Sequence, residues 1–309
     1  MDFKGVSDAM QLIQLRYFCT VARCQNMSRA ADELWISQPA LSRAISTLED
    51  ELGVKLFERV GRSIQLNAAG QLYYRQVSHI LQLLGDATRQ VQDLGNSGCN
   101  EVRVLFSAAN FICAWFWEQY EQRFPQIKLI VKDCYAPTPF DLADCEFLIY
   151  ATPSEYPAME SVALLEEELA LAMSENHPLA KCESVALADT VNYRFQSLPI
   201  HENLQDNLYK AYQNLGMEPD IAFRTEASFT FFNTLSSTNL LAMVPTCTAF
   251  PALGSKLVLR PIRDIPCRRT IYLGWNKEQY LSDTGRQFID YCKELFTELG
   301  ERRAAAADV

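Results

Sequence analysis

Apolar side chains recur at Leu12, Leu15, Phe18, Cys19 and Ala22, a stripe down one side of a helix over residues 12–23. The run Asn26-Met27-Ser28 interrupts it. Ser28 is the expected N-cap of a short second helix over 29–34, with Ala30, Ala31 and Leu34 facing inward. Trp35 and Ile36 make a tight connection. Ser37 then caps a third helix, with Pro39 in its first turn, where a missing N–H does no harm. Leu41, Ile45, Leu48 and Leu52 form its apolar stripe, and Gly53 stops it. Residues 54–66 read as two short strands around Val60-Gly61-Arg62-Ser63. Residues 68–94 lack proline, and Tyr73, Val77, Ile80, Leu84, Ala87, Val91 and Leu94 alternate at spacings of 4 and 3. That is a three-heptad seam along which two copies of one helix could pair, although the same stripe would suit a helix lying on its own domain. Gly95-Asn96-Ser97-Gly98 reads as a flexible hinge.

Beyond the hinge the period alternates between that of strands and that of helices. Strands are expected over 101–106, 127–131, 145–151, 162–173, 193–198, 221–224, 240–244, 257–261 and 270–275. Helices are expected over 111–124, 203–215, 229–237 and 283–300, with a turn at His177-Pro178-Leu179-Ala180. Such alternation implies open α/β sheets with mostly parallel strands. The chain leaves one lobe near 162–174 and returns near 268–275, and two crossings between two lobes make a hinged cleft. The expected organisation is an α/β multidomain chain. Its parts are a helical domain over 1–67, a long helix over 68–95, a hinge over 96–100 and a two-lobed domain over 101–309. Lobe I comprises about 101–168 and 268–300, and lobe II about 169–267.

Composition narrows the possibilities. At 309 residues the chain is long enough for two or three domains, and 49% apolar against 21% charged residues is a globular balance. No apolar run approaches the roughly 18–20 residues that cross a bilayer, and Met1-Asp2-Phe3-Lys4-Gly5 shows no secretory h-region. The expectation is a cytoplasmic protein without a membrane partner. The net charge of −10 by itself argues against a polyanionic partner. Its distribution reverses that reading, because residues 1–95 hold 10 basic and 10 acidic residues and the whole excess of acid lies beyond them. The first third is therefore free to meet phosphates. Ten cysteines show no C-x-x-C pair and no zinc-like cluster with histidine, so reduced, buried thiols and no metal are expected.

A short helix, a three- to four-residue turn and a longer helix is the spacing of a helix-turn-helix, and the following strand pair would be its wing. Gln38, Ser42, Arg43, Ser46 and Thr47 lie on the polar face of the longer helix, and these side chains suit base edges and phosphates. Glu49, Asp50 and Glu51 are held back to its C-terminal turn. Arg59 and Arg62 would extend from the wing to the backbone or minor groove. Spacing alone equally allows a solvated helical hairpin with surface arginines.

Several segments carry a resemblance: Phe18-Cys19-Thr20-Val21-Ala22, Ser28-Arg29-Ala30-Ala31, Ser37-Gln38-Pro39-Ala40-Leu41-Ser42-Arg43, Leu48-Glu49, Leu52-Gly53 and Leu56-Phe57-Glu58-Arg59. In order and spacing they are similar to the DNA-binding domain of the LysR-type transcriptional regulators, nearly continuously over 12–70. Asn67 stands where that family usually has Thr, and Asn caps a helix as well. The resemblance implies a winged helix-turn-helix that binds double-stranded DNA through Ser28, Arg29, Ser37, Gln38, Pro39, Ser42, Arg43, Arg59 and Arg62. It implies a dimerising linker helix, an interrupted palindrome as the DNA site, and a homotetramer of two linker-paired dimers joined through effector domains. The two-lobed region is similar, more weakly, to the family's effector-binding domain, which resembles type 2 periplasmic binding proteins. One departure is Leu235-Ser236-Ser237-Thr238-Asn239-Leu240, where the usual glycine-containing stretch before the later proline is absent.

In open α/β sheets ligands bind beyond the carboxyl ends of strands, near helix N-termini. That rule selects Ser107, Ala109, Asn110, Thr138 and Thr152 in the first lobe, and Pro199, His201, Glu226, Ser228 and Thr246 in the second. No Lys or Arg is among them, so a small polar or aromatic effector fits better than a polyanion, and an anion at a helix N-terminus is the second fit. No G-x-G-x-x-G, P-loop or G-x-S-x-G motif is present, and His79, His177 and His201 are far apart, so catalysis is not expected. Two rival readings remain. One is a redox regulator using a pair among Cys182, Cys247 and Cys267, with Lys181 and Arg268 lowering the thiol pKa values. The other is a two-lobed binding protein or enzyme whose N-terminal domain serves assembly only.

Overall fold

The computed structural model describes residues 11–60, 63–94, 101–134, 137, 141–142, 144–151, 156, 159–198, 203–225, 227–249, 251, 254 and 256–307. The chain forms two compact units that divide between Thr88 and Arg89.

The first unit contains α1 (Leu12–Cys24), α2 (Met27–Glu33), α3 (Gln38–Leu52), β1 (Phe57–Val60), β2 (Ser63–Leu66) and most of α4 (Ala68–Leu94). Its core gathers the stripes of all four helices. Phe18, Val21, Ala22, Ala30, Ala31, Leu41, Ile45, Leu48, Leu56, Tyr74 and Val77 are buried, and the Phe18 ring lies 5.5 Å from Phe57 and 5.2 Å from Tyr73. Helix α2 starts earlier than expected. Asn26 rather than Ser28 is its cap, with Oδ1 accepting the N–H groups of Ser28 and Arg29, both at 3.0 Å. Ser37 caps α3, and Gly53 closes it in the left-handed region at φ +67°. Strands β1 and β2 pair antiparallel, with Phe57 opposite Leu66 and Val60 opposite Ser63.

Glu49, in the C-terminal turn of α3 with Asp50 and Glu51, has a structural part that the sequence analysis did not give it. It is buried, and Oε1 accepts the Leu56 and Phe57 N–H groups at 2.9 and 3.3 Å while Oε2 meets Lys55 Nζ at 2.8 Å. One carboxylate therefore ties the end of α3 to the start of the wing. Asn67 opens α4 with Oδ1 on the Gly70 N–H, and its Nδ2 donates to Lys55 O, both at 2.8 Å. A Cβ on Gly70 would lie 2.0 Å from Leu56 O, so only glycine lets α4 approach the wing this closely.

The second unit is a mixed, seven-stranded sheet flanked by helices. Its elements in order are β3 (Glu101–Phe106), α5 (Cys113–Arg123), β4 (Lys128–Asp133), β5 (Phe147–Tyr150) and β6 (Met159–Ser174), then β7 (Phe195–Ser197), α6 (Asn203–Gln213), β8 (Ile221–Arg224) and α7 (Ser228–Ser237). They continue with β9 (Ala242–Pro245), β10 (Leu257–Pro261), β11 (Arg268–Asn276) and α8 (Asp283–Ala307). The sheet order is β10-β6-β11-β5-β3-β4, with β9 also on β6, and β7 pairs with β8. Among the described strands, parallel ladders join β3 to β4 and β5, and β7 to β8. The expectation of mostly parallel strands thus fails at the centre. There β6 and β11 run antiparallel to each other, and β6 also carries β9 and β10 antiparallel. The reason is topological: β6 leaves the first lobe and β11 returns to it, so the two must run in opposite directions.

Two cores sit on either side of that crossing. The first gathers Val104, Phe106, Ile112, Phe116, Tyr120, Phe147, Ile149, Ile271, Leu273, Phe288 and Phe296. The second gathers Leu171, Met173, Phe195, Leu208, Tyr212, Phe231, Leu235, Leu241 and Val244. Where a helix-stopping glycine was missed in the sequence, hydroxyls replace it. Ser236 and Ser237 each donate to Asn233 O at 2.9 Å and Thr238 donates to Thr234 O at 2.8 Å, satisfying the last carbonyls of α7.

Candidate nucleic-acid interface and effector cleft

Helix α3 divides cleanly. Leu41, Ile45, Leu48 and Glu49 are buried, while Ser37, Gln38, Pro39, Ala40, Ser42, Arg43, Ser46 and Thr47 are exposed. No acidic residue occurs between Leu34 and Leu48, so the exposed strip is a contiguous, acid-free face with one guanidinium, Arg43. Ser28 and Arg29 lie in the first turn of α2, where their backbone N–H groups are held by Asn26, and the Arg29 side chain is exposed. Arg59 is exposed on β1. Arg62 lies outside the described residues. The physical basis for a duplex-facing surface is therefore a short polar strip on a rigid helix, backed by a core and tied to the wing by Glu49.

The stripe on α4 is used in two ways. Val77 is 2% exposed and Tyr73 is half-buried against Phe18, so the N-terminal end of the stripe belongs to the unit's own core. From Ile80 onward it is open: Ile80 is 52% and Val91 69% exposed, with Leu83, Leu84 and Ala87 also exposed between them. The Leu94 side chain lies outside the described residues, as does the hinge over 96–100.

In the second unit the segment after β3 makes a tight elbow. Ser107 and Ala108 donate N–H to Ile149 O at 2.8 and 3.1 Å, Ala109 takes φ +59°, and buried Asn110 donates Nδ2–H to Phe106 O at 2.9 Å. A left-handed alanine is strained, and this strain sits at an expected ligand-binding loop. The elbow thrusts Phe111 across to the second core, 5.6 Å from Phe231 and 4.8 Å from Phe232 on α7. Ser228 begins that same helix. In the reverse direction Cys247, two residues beyond β9, packs in the first core. Each lobe thus inserts one side chain into the other. Thr246 donates its N–H to Glu168 O at 2.9 Å on the crossing strand. Thr138, Thr152, Pro199, His201 and Glu226 lie outside the described residues.

Sequence reasoning missed the buried charged pair on the crossing strands. Glu167 on β6 is fully buried, with Oε1 2.9 Å from Arg269 Nε on β11. Its Oε2 accepts the N–H groups of Cys247 and Thr248 at 3.2 and 2.8 Å, and Thr248 Oγ1 bridges it to Arg269. The one available signal was an acid at an inward register position within Leu164-Leu165-Glu166-Glu167-Glu168-Leu169. Gln196, also unforeseen, is buried on β7 and donates Nε2–H to Phe231 O at 2.7 Å.

Of the three thiols named for the redox reading, Cys247 and Cys267 are buried and Cys182 is exposed. Burial pushes the Cys247 and Cys267 thiols up, so neighbouring Arg268 does not lower Cys267 as expected. Burial likewise raises Cys19 to about 11 and Cys145 to about 12. No cluster among the described residues could hold a metal ion, and no described helix is long and apolar enough to cross a membrane.

Comparison with known proteins finds relatives that span both units. The model of the bacterial regulatory helix-turn-helix protein, lysR family, matches residues 12–71, and that of the LysR substrate binding domain matches residues 102–297. The uncharacterized HTH-type transcriptional regulator YybE of Bacillus subtilis (strain 168) is 28% identical over 294 residues, spanning 94% of this chain and 100% of that protein. The DNA-binding transcriptional dual regulator OxyR of Escherichia coli (strain K12) is 26% identical, spanning 78% of this chain and 81% of that one. Among solved structures, a full-length OxyR point variant from Pseudomonas aeruginosa superposes with a TM-score of 0.67 at 20% identity, covering 93% of this chain and 94% of that one. Full-length CbnR complexed with its target DNA gives 0.58 at 21% identity, covering 95% of this chain and 100% of that one.

Proposed function

This chain belongs to the LysR family of bacterial transcriptional regulators, and from that premise we propose which residues read DNA, how the chain assembles and what its cleft senses. It is a DNA-binding regulator with an effector-binding domain, and the finer assignments below are supported by the exposure and packing of the described residues. Gln38, Pro39, Ser42 and Arg43 enter the major groove, Ser28, Arg29 and Ser37 hold the backbone, and Arg59 and Arg62 on the wing reach the flanking phosphates or minor groove. The observation that carries this reading is the exposed, acid-free strip from Ser37 to Thr47 on a helix whose opposite face is core.

The open stripe from Ile80 to Val91 on α4 supports pairing with a second copy, which presents two reading helices and calls for an interrupted palindrome. Two aromatic-edged grooves on the effector domain support a further pairing into a tetramer. One holds Phe229, Phe232 and Lys256, and the other Trp117, Val131 and Asp133, so their charges are complementary. The effector is a small polar or aromatic molecule bound between the lobes near Ser107, Ala109, Asn110, Ser228 and Thr246, with Thr138, Thr152, Pro199, His201 and Glu226 as further candidates. Its binding changes the lobe angle, the subunit placement and hence the spacing or bend of the DNA sites. The protein acts in the cytoplasm, carries no enzymatic activity and needs no cofactor besides the effector.

The test begins with a duplex that the protein itself selects from a random-sequence pool. Arg43→Ala is expected to weaken binding to it by about 1–3 kcal/mol in a mobility-shift titration. Unchanged affinity would remove Arg43 from the interface.

A further inference from the structure

Trp35 is the most exposed large apolar side chain among the described residues, at 93%, ahead of Phe229 at 81%. It occupies the turn between α2 and α3, and its backbone is in the left-handed region at φ +56°. That conformation suits glycine, and a Cβ makes it strained. The turn is nonetheless tightly held: Leu34 donates N–H to Ala30 O at 3.0 Å, Trp35 to Asp32 O at 3.2 Å and Ile36 to Ala31 O at 3.1 Å. The backbone thus fixes the indole outward, two residues ahead of the Ser37 cap and three ahead of Gln38, the first of the exposed residues Gln38, Pro39 and Ala40 that open α3. The acids nearest in sequence belong to the preceding helix, and one of them, Glu33, is paired with Arg23. A large apolar group in water is unfavourable by itself, and strain adds to that. Both point to a surface that covers the ring when the protein works.

We propose that Trp35 is a DNA-contacting residue. Its ring packs on a deoxyribose at the edge of the groove that α3 enters, and its indole N–H donates to the adjoining phosphate. The assignment rests on the DNA-binding reading and extends it to a residue outside the helix that reads bases. Three features support a duplex as the occupant: continuity with the exposed strip of α3, the absence of acid from Leu34 to Leu48, and a donor at the rim of an apolar ring, which matches a sugar–phosphate edge. Because such a contact is made to the backbone, it strengthens binding to all sequences alike.

The experiment compares full-length wild type, Trp35→Phe, Trp35→Ala and Trp35→Gly on the selected duplex and on a scrambled one. Trp35→Ala is expected to weaken both by about tenfold, leaving their ratio unchanged, with Trp35→Phe intermediate. Trp35→Gly is expected to raise the melting temperature, because glycine relieves the left-handed strain, and yet to bind DNA as weakly as Trp35→Ala. A merely structural role would move stability and affinity in the same direction and would overturn the proposal. So would wild-type affinity in all three variants, or a change in oligomeric mass with DNA binding intact, which would assign the ring to a second copy of the chain. If wild type itself binds neither duplex, the DNA-binding reading fails instead.

Discussion

At His177 a single imidazole closes a turn. Its Nδ1 accepts the Leu179 N–H at 3.1 Å, and the buried ring stacks 4.8 Å from Tyr193. Burial holds its pKa below the usual value near 6.5. A lowered folded value means that the unfolded chain takes the proton more readily. The stabilising effect is therefore present above about pH 6.5 and is lost as pH falls through the window below it. Between about pH 7 and pH 5.5 the wild-type melting temperature should fall more than that of His177→Asn, which keeps an acceptor for Leu179 without titrating. Parallel melting curves would show that the ring's protonation is not linked to folding. The turn itself was legible, as were the caps at Ser37, Gly53 and Asn67, because each is a local preference with few competitors. Ser28 was misread because Asn26 is an equally good cap two residues earlier, and only the packing of Ala30 and Ala31 decides between them. Glu49 was misread because its sign was weighed and its position was not. It follows Ile45 by one helical turn, on the face that packs inward.

Helix α4 shows what periodicity can and cannot say about an element. The pattern gave the helix its limits, Ala68 to Leu94, but a single stripe cannot state which stretch of it faces which partner. Phe18 takes up Tyr73, and Val77 is buried with them, so the exposed part of the stripe begins at Ile80 and includes Leu83, which the strict heptad omitted. Ile80→Asp together with Leu84→Asp should leave the fold intact and convert the assembly to monomers or to species lacking this contact, read by sedimentation velocity; undiminished mass would refute the pairing. The strand pattern carried a different ambiguity. Residues 162–173 were legible as extended, but direction is not written in hydrophobicity, and four antiparallel pairings in the effector domain follow from where the chain must return.

Across the whole molecule the polarity is segregated, with a neutral DNA-binding third and an acidic sensing remainder. The two lobes of the sensor share their crossing strands, and the Glu167–Arg269 pair sits on them with Thr248 from the second lobe's return segment. Removing one partner strands the other in a dry site. Glu167→Gln should destabilise the protein by about 3–5 kcal/mol in urea denaturation, and Glu167→Leu combined with Arg269→Met should recover much of that loss. A cost under about 1 kcal/mol for Glu167→Gln would mean that water reaches the crossing. Such a site was not legible in advance because Arg269 lies 21 residues from Thr248 and 102 from Glu167, and only the sheet register brings them together.

The order in which the two cores are completed follows from the same crossing strands. Everything the second core gathers, from Phe111 to Cys267, is synthesised before Ile271, Leu273, Phe288 and Phe296, which finish the first. A chain truncated between Cys267 and Phe288 therefore keeps every residue of the DNA-binding domain and lacks the last helix of the first core, and it is expected to bind DNA without responding to effector.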